Sequence, residues 1–336
     1  MTWDYFGNEW AVEHLRAHAA NGQPRQAYLF TGASGLGRRT LALRFAQALN
    51  CTQPPAPGAY CGLCRACKLI AKMEHPDLEV VQAGQFGREL RIDQIRNLQN
   101  HLSLMPYEAA YRVALLLRFE EANPNAANAL LKTLEEPPPR VILLLTAAST
   151  EALLPTIVSR CEVLRLRPLS VTELAEQLAL QRGIEAAQAR RLASIARGRP
   201  GAALRYHQNP PLLQKITQTV NDHLALMGAS YLDRFALAER LAKEKDRENL
   251  RFLLENWLLL WRDVLLRSVQ MEHDGAFSDW EQPLAAIAGE VDWRQAEKAV
   301  AALQRTLALL EGNVNLRLAL EVLMLDLPQV RSSAGG

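Results

Sequence analysis

Short apolar runs alternate along this chain with stretches in which apolar residues recur every three or four positions. The alternation is sharpest between Tyr111 and Cys161. Arg112-Val-Ala-Leu-Leu-Leu117 has the length and composition of a buried strand. Residues 126–136, rich in Ala, Leu, Lys and Glu, favour helix. Pro137-Pro-Pro139 ends that helix, because proline has no N–H to donate and disfavours α geometry in the residue before it. Val141-Ile-Leu-Leu-Leu-Thr146 is a second buried strand. Strand, helix and strand predict one βαβ unit of a parallel sheet.

Upstream, the same reading places Val12 and Leu15 on one face of a helix over 10–18, and a strand over 27–31. Gly32-Ala-Ser-Gly-Leu-Gly37 is then a turn into a helix over 38–49. Asp77-Leu-Glu-Val-Val81 is a further strand, and Ile92, Ile95 and Leu98 share a helical face. Beyond Arg167 the pattern turns helical. Ser170 or Thr172 caps a helix running to Gln181, a second spans 187–197 and stops at Gly198, and Asn209-Pro-Pro211 predicts a linker. From Leu212 to Pro328 the chain predicts amphipathic helices. Leu253, Leu254, Trp257, Leu258, Trp261 and Leu265 make a wide apolar stripe suited to a bundle core. Residues 331–336 read as a loose tail.

Composition narrows the function classes. The 336 residues are 49% hydrophobic, enough for several packed domains and against general disorder. With 38 basic and 36 acidic side chains the net charge is +2, so nucleic acid would have to meet a local patch. Arg88, Arg91 and Arg96 are candidates for phosphate contacts, or simply a solvated helix face. No signal pattern and no apolar run near the roughly 20 residues of a membrane span is present, which predicts a soluble, cytoplasmic protein without a membrane partner.

Four of the five cysteines cluster as Cys51, Cys61, Cys64 and Cys67, spaced C-x9-C-x2-C-x2-C among Pro54, Pro55, Pro57, Gly58 and Gly62. Short C-x2-C spacings let thiolates converge, and four sulfurs suit tetrahedral zinc in a closed, structural site. An iron–sulfur cluster, a redox pair or free thiols are the competing readings. The glycine turn has the strand–loop–helix setting of a phosphate-binding loop but not its chemistry. Aligned on Gly32, Gly35 and Gly37, the lysine position holds Arg38 and the hydroxyl position Arg39.

Asn128-Ala-Leu-Leu-Lys-Thr-Leu-Glu-Glu-Pro-Pro138 followed by Leu154-Pro-Thr-Ile-Val-Ser-Arg-Cys161 resembles the bacterial sliding-clamp loaders of the AAA+ class, and within them the delta-prime branch of DNA polymerase III. The resemblance implies a RecA-like α/β domain over 1–166 with a zinc knot inserted near 51–67. A small helical lid over 167–207 and an all-α collar over 208–330 for oligomerisation would follow it. It implies that the acidic pair holding magnesium and water should follow the strand at 112–116, where this chain has Leu117 and Arg118, with Glu120 and Glu121 further on. It implies a lid arginine near 198–204, where the matching position is Gly201 and Arg199 lies two residues before. It makes Arg160, beside Ser159, an arginine finger acting on the ATP of a neighbouring subunit. Its implied partners are gamma/tau and delta subunits, primer–template DNA within the assembly and, weakly or indirectly, the sliding clamp. Two rivals stand beside this expectation. One is an ATP-hydrolysing motor of the gamma/tau kind that uses Arg38 in place of lysine. The other is a zinc-dependent nucleic-acid-binding module, against which the near-zero net charge and the lack of interleaved aromatics both weigh.

Overall fold

Five short runs become the strands of one wholly parallel sheet in the computed structural model, which describes residues 3–84, 89–244, 246–271, 277–310 and 314–330. Arg88 and the tail 331–336 lie outside the described residues. Two compact units emerge, Met1–Leu169 with Arg199–Ala202, and Ser170–Gly198 with Ala203–Gly336.

The first unit runs α1 (Glu9–Ala20), β1 (Ala27–Thr31), α2 (Arg38–Asn50), α3 (Arg65–Lys72), β2 (Leu78–Val81), α4 (Ile92–Leu102), β3 (Arg112–Leu116), a 3-10 turn (Phe119–Glu121), α5 (Pro124–Glu135), β4 (Val141–Ala147), α6 (Pro155–Val158) and β5 (Glu162–Arg165). The strand order is β2-β3-β4-β1-β5, so the predicted β3–α5–β4 crossover joins neighbours in register from Arg112↔Val141 to Leu116↔Leu145. Every residue of β1 and β4 is buried, as expected of central strands covered on both faces. The pleat sorts them. Tyr28, Phe30, Val113, Leu115, Ile142 and Leu144 pack with Leu15, Leu41 and Phe45 of α1 and α2. Their alternates Ala27, Leu29, Ala114, Leu116 and Leu143 pack with Ile95, Leu98, Leu130 and Leu134 of α4 and α5. Because the side-chain period is two, a slip of one residue in any central strand would exchange these two sets, so the two cores fix the register.

The second unit is all helix among its described residues, apart from a 3-10 turn at Ser278–Trp280: α7 (Val171–Arg182), α8 (Ala186–Ala196), most of α9 (Pro200–Gln208), α10 (Pro210–Met227), α11 (Tyr231–Lys243), α12 (Arg247–Ser268), α13 (Glu281–Glu290), α14 (Trp293–Leu309) and α15 (Leu316–Asp326). Ser170, not Thr172, caps α7 in a reciprocal box, with the Glu173 N–H donating to its Oγ and Glu173 Oε2 accepting the Ser170 N–H. Residues 209–211 do not form a linker. Asn209 caps α10 and Pro210 occupies its first turn, where a missing N–H costs nothing. Trp257 and Trp261 of α12 are fully buried in the bundle core, as the apolar stripe predicts. Arg234 of α11 is buried too, and its guanidinium donates to the carbonyls of Leu226, Met227, Met324, Leu327 and Pro328. Those carbonyls lie at the C-terminal ends of α10 and α15, so one side chain ties two helix termini together.

Candidate functional site

Three groups of residues carry the chemistry read from the sequence, all in the first unit. The cysteines come together. Cys51 lies where α2 stops, Cys64 caps α3, and Cys67 sits one turn into it. Their four Sγ atoms lie within 4.8 Å of one another, with Cys61 and Cys67 4.0 Å apart. Tetrahedral zinc with Zn–S bonds of about 2.3 Å requires sulfurs about 3.8 Å apart, so this donor set fits the ion. Backbone amides already point at the sulfurs: Cys61 N–H to Cys51, Leu63 and Cys64 N–H to Cys61, and Cys67 N–H to Cys64. Such bonds favour thiolate. Burial opposes ionisation of Cys64, yet the Cys67 amide and hydrogen bonds from Thr52 outweigh it and bring the thiol down to about 6. The loop is pressed onto α1 at Gly58, whose φ of 71° and 2.2 Å approach of a Cβ to the Arg16 carbonyl exclude any other residue without movement. This cluster can hold a metal ion, and four thiolates leave no position open for substrate.

The glycine turn leads from β1 into α2, with Arg38 and Arg39 as the first two residues of that helix. Gly32, Gly35 and Gly37 all have positive φ, and Gly37 precedes the first residue of α2. Other residues crowd the loop. The Tyr5 hydroxyl donates to the Leu36 carbonyl at 2.8 Å, and a Cβ on Gly37 would lie 2.9 Å from the Tyr5 ring. Ala202 N–H donates to the Gly35 carbonyl at 3.2 Å, and Arg199 Nη1 donates to the Ser34 carbonyl at 3.3 Å. The segment in which a lid arginine was sought therefore does reach the loop, through Arg199 and through the backbone beside Gly201. Arg38 is half-buried; burial pushes its guanidinium down from the usual arginine range, with Glu120 opposing and Arg118 reinforcing. Arg39 and Thr40 are exposed. Leu117, at the first acidic position, is buried in the core, and Arg118 pairs with Glu121 at 2.9 Å. Glu120 accepts the Ala148 N–H at 3.2 Å. Neither the lysine, the hydroxyl nor the acidic pair of a magnesium nucleotide site is replaced in kind.

Arg160 lies just past α6, exposed beside Ser159. Its Nη2 meets Glu135 Oε1 at 2.6 Å and its Nη1 donates to the Thr156 carbonyl at 2.8 Å. The Ser159 hydroxyl donates to that same carbonyl at 3.1 Å. Glu135 belongs to the first of the two conspicuous sequence words and Arg160 to the second, so the fold joins them by an ion pair. Sequence reasoning did not find that pair, since the partners are 25 residues apart and nothing local marks them. Cys161 packs against the core, where burial pushes its thiol up to about 12. Arg91, which caps α4, and Arg96 within it are exposed. Sequence reasoning also missed a cluster of His14, His18 and Glu162, although the i, i+4 histidine spacing was there to be read.

The profile of the family described as "DNA polymerase III, delta subunit" matches residues 7–170. The chain is 35% identical to the DNA polymerase III subunit delta' of Pseudomonas aeruginosa, over 75% of this chain and 74% of that one. It is 28% identical to the protein of the same name from Bacillus subtilis, over 90% of this chain and 91% of that one. Its fold matches the crystal structure of a DNA polymerase III gamma subunit-related protein of Thermotoga maritima with a TM-score of 0.53 and 17% identity, covering 93% of this chain and 97% of that chain.

Proposed function

The chain belongs to the delta-prime subunit family of the DNA polymerase III clamp loader, and from that membership we propose that it does not hydrolyse ATP itself but lends Arg160 to a neighbour's ATP. One observation carries this reading. An exposed guanidinium stands at a helix end in a chain whose own phosphate loop lacks lysine, hydroxyl and acid. A planar guanidinium can engage two oxygens of a γ-phosphate as charge develops on them. To do so Arg160 must leave Glu135. That pair is half-exposed, with 34% and 50% of the side chains accessible, and such pairs contribute about 1 kcal/mol or less, so the exchange is cheap. Ser159 would hold the helix end that aims the arginine.

In this reading ATP is bound only by the neighbouring subunit, and the four cysteines hold a structural zinc ion. Gamma/tau and delta subunits are the partners, primer–template DNA is met within the assembly, and the sliding clamp is touched weakly or indirectly. The setting is the cytoplasm. Residues 167–207 act as a lid and 208–330 as the collar through which the subunits assemble.

Titrating the purified chain with a fluorescent ATP analogue, with and without magnesium, tests the first half of the proposal. We expect no saturable binding up to millimolar analogue. Micromolar, magnesium-dependent binding would contradict it and favour a motor that uses Arg38 for lysine.

A further inference from the structure

His14 and His18 are four residues apart on α1, which stacks their imidazoles on one face of the helix with ring centroids 4.3 Å apart. Glu162, the first residue of the edge strand β5, turns its carboxylate onto the same spot. Oε1 contacts His14 Nε2, and Oε2 lies 3.8 Å from His18 Nδ1. One ligand atom from each of the three side chains falls within 4.8 Å of the others. We propose that His14, His18 and Glu162 bind a divalent transition-metal cation of the zinc class, at a site separate from the four cysteines, clamping α1 to the sheet edge.

Three features support a ligand set over an ordinary histidine–glutamate hydrogen bond. The donors are two imidazole nitrogens and one carboxylate, which suits zinc, cobalt or nickel and leaves coordination positions for water. The surroundings orient them. The Tyr28 hydroxyl is 2.7 Å from His18 Nδ1 and itself accepts the Arg25 N–H at 2.8 Å, a chain of hydrogen bonds that holds the His18 ring in place. All three side chains are partly buried, and Glu162 Oε2 has no hydrogen-bond partner among the described residues. Arg25, 3.8 Å from Oε2, opposes an incoming ion, and 76% of its side chain is exposed to solvent.

The test is metal stoichiometry on the full chain with its four-cysteine site first filled with zinc. Zn²⁺ is titrated in competition with a chromogenic chelator, and Co²⁺ is followed by its visible bands, which are strong for thiolate ligands and weak for nitrogen and oxygen. Wild type should take one further equivalent, with weak cobalt bands. The double substitution His14→Ala/His18→Ala should abolish that equivalent, and Glu162→Gln should weaken it by roughly tenfold or more, the thiolate site remaining full. His14→Gln alone gives the same reading should the double variant not fold. No further equivalent in wild type, or one that survives these substitutions, overturns the proposal.

Discussion

His223 of α10 sits wholly inside the helical unit, where Nε2 accepts the Trp261 indole N–H at 2.8 Å and the Trp257 ring lies 4.2 Å away. Burial, reinforced by the nearby Arg234 cation, brings its pKa from 6.5 down to about 3. The folded state therefore refuses a proton that the unfolded chain accepts between those values. This contribution to stability is whole above pH 6.5 and is lost as the pH falls toward 3, at up to about 1.4 kcal/mol per pH unit. Urea unfolding of wild type and His223→Gln at pH 7.5 and pH 5 checks it: the variant should be less stable at pH 7.5 and lose distinctly less on acidification. Equal losses would remove His223 as the cause. At this scale the sequence was legible by residue type rather than by contact. Arg160 was marked by its motif, and Leu117 and Arg38 by what they replace. The Glu135 anchor of Arg160, the carbonyl cage of Arg234 and the Arg199 bond to the loop are long-range meetings that no local spacing encodes.

Elements were legible where a strong period met a clear stop. β1, β3 and β4 are continuous apolar runs because both faces of the sheet are covered, and α5 ends before its prolines. β5 escaped notice, for its four residues leave only Leu164 buried and present no run. The two prolines after Asn209 read as a break and proved to be a helix start, since proline within the first turn is as compatible with entering a helix as with leaving one. The cysteine knot is where element and chemistry coincide. α3 is only eight residues long, and its capping residue is Cys64 of the cluster, so the proposed metal and the helix would depend on each other. Removing the ion with a strong chelator, or substituting Cys64→Ser, should cost about 3 kcal/mol, or roughly 6–12 °C in Tm for a unit of this size. Thermal melts with and without the chelator check this, and unchanged melting of a metal-loaded sample would argue that the thiols are idle.

On the scale of the whole molecule, the α/β unit and the helical unit match the sequence expectation of a sheet domain followed by helices, and membership of the delta-prime family gives that pairing its setting. No described helix is long and apolar enough to cross a membrane. The loop at the end of β1 has three glycines of positive φ and is contacted by Tyr5, Arg199 and Ala202, whereas Arg160 is exposed and paired with Glu135. The ATPase rate of a reconstituted clamp loader carrying Arg160→Ala tests whether this chain lends its arginine to a neighbour's ATP. We expect normal assembly by gel filtration, with hydrolysis at the site this chain serves reduced by roughly 10³-fold and clamp loading slowed accordingly. A fully assembled complex that hydrolyses ATP and loads clamps at the wild-type rate would contradict it.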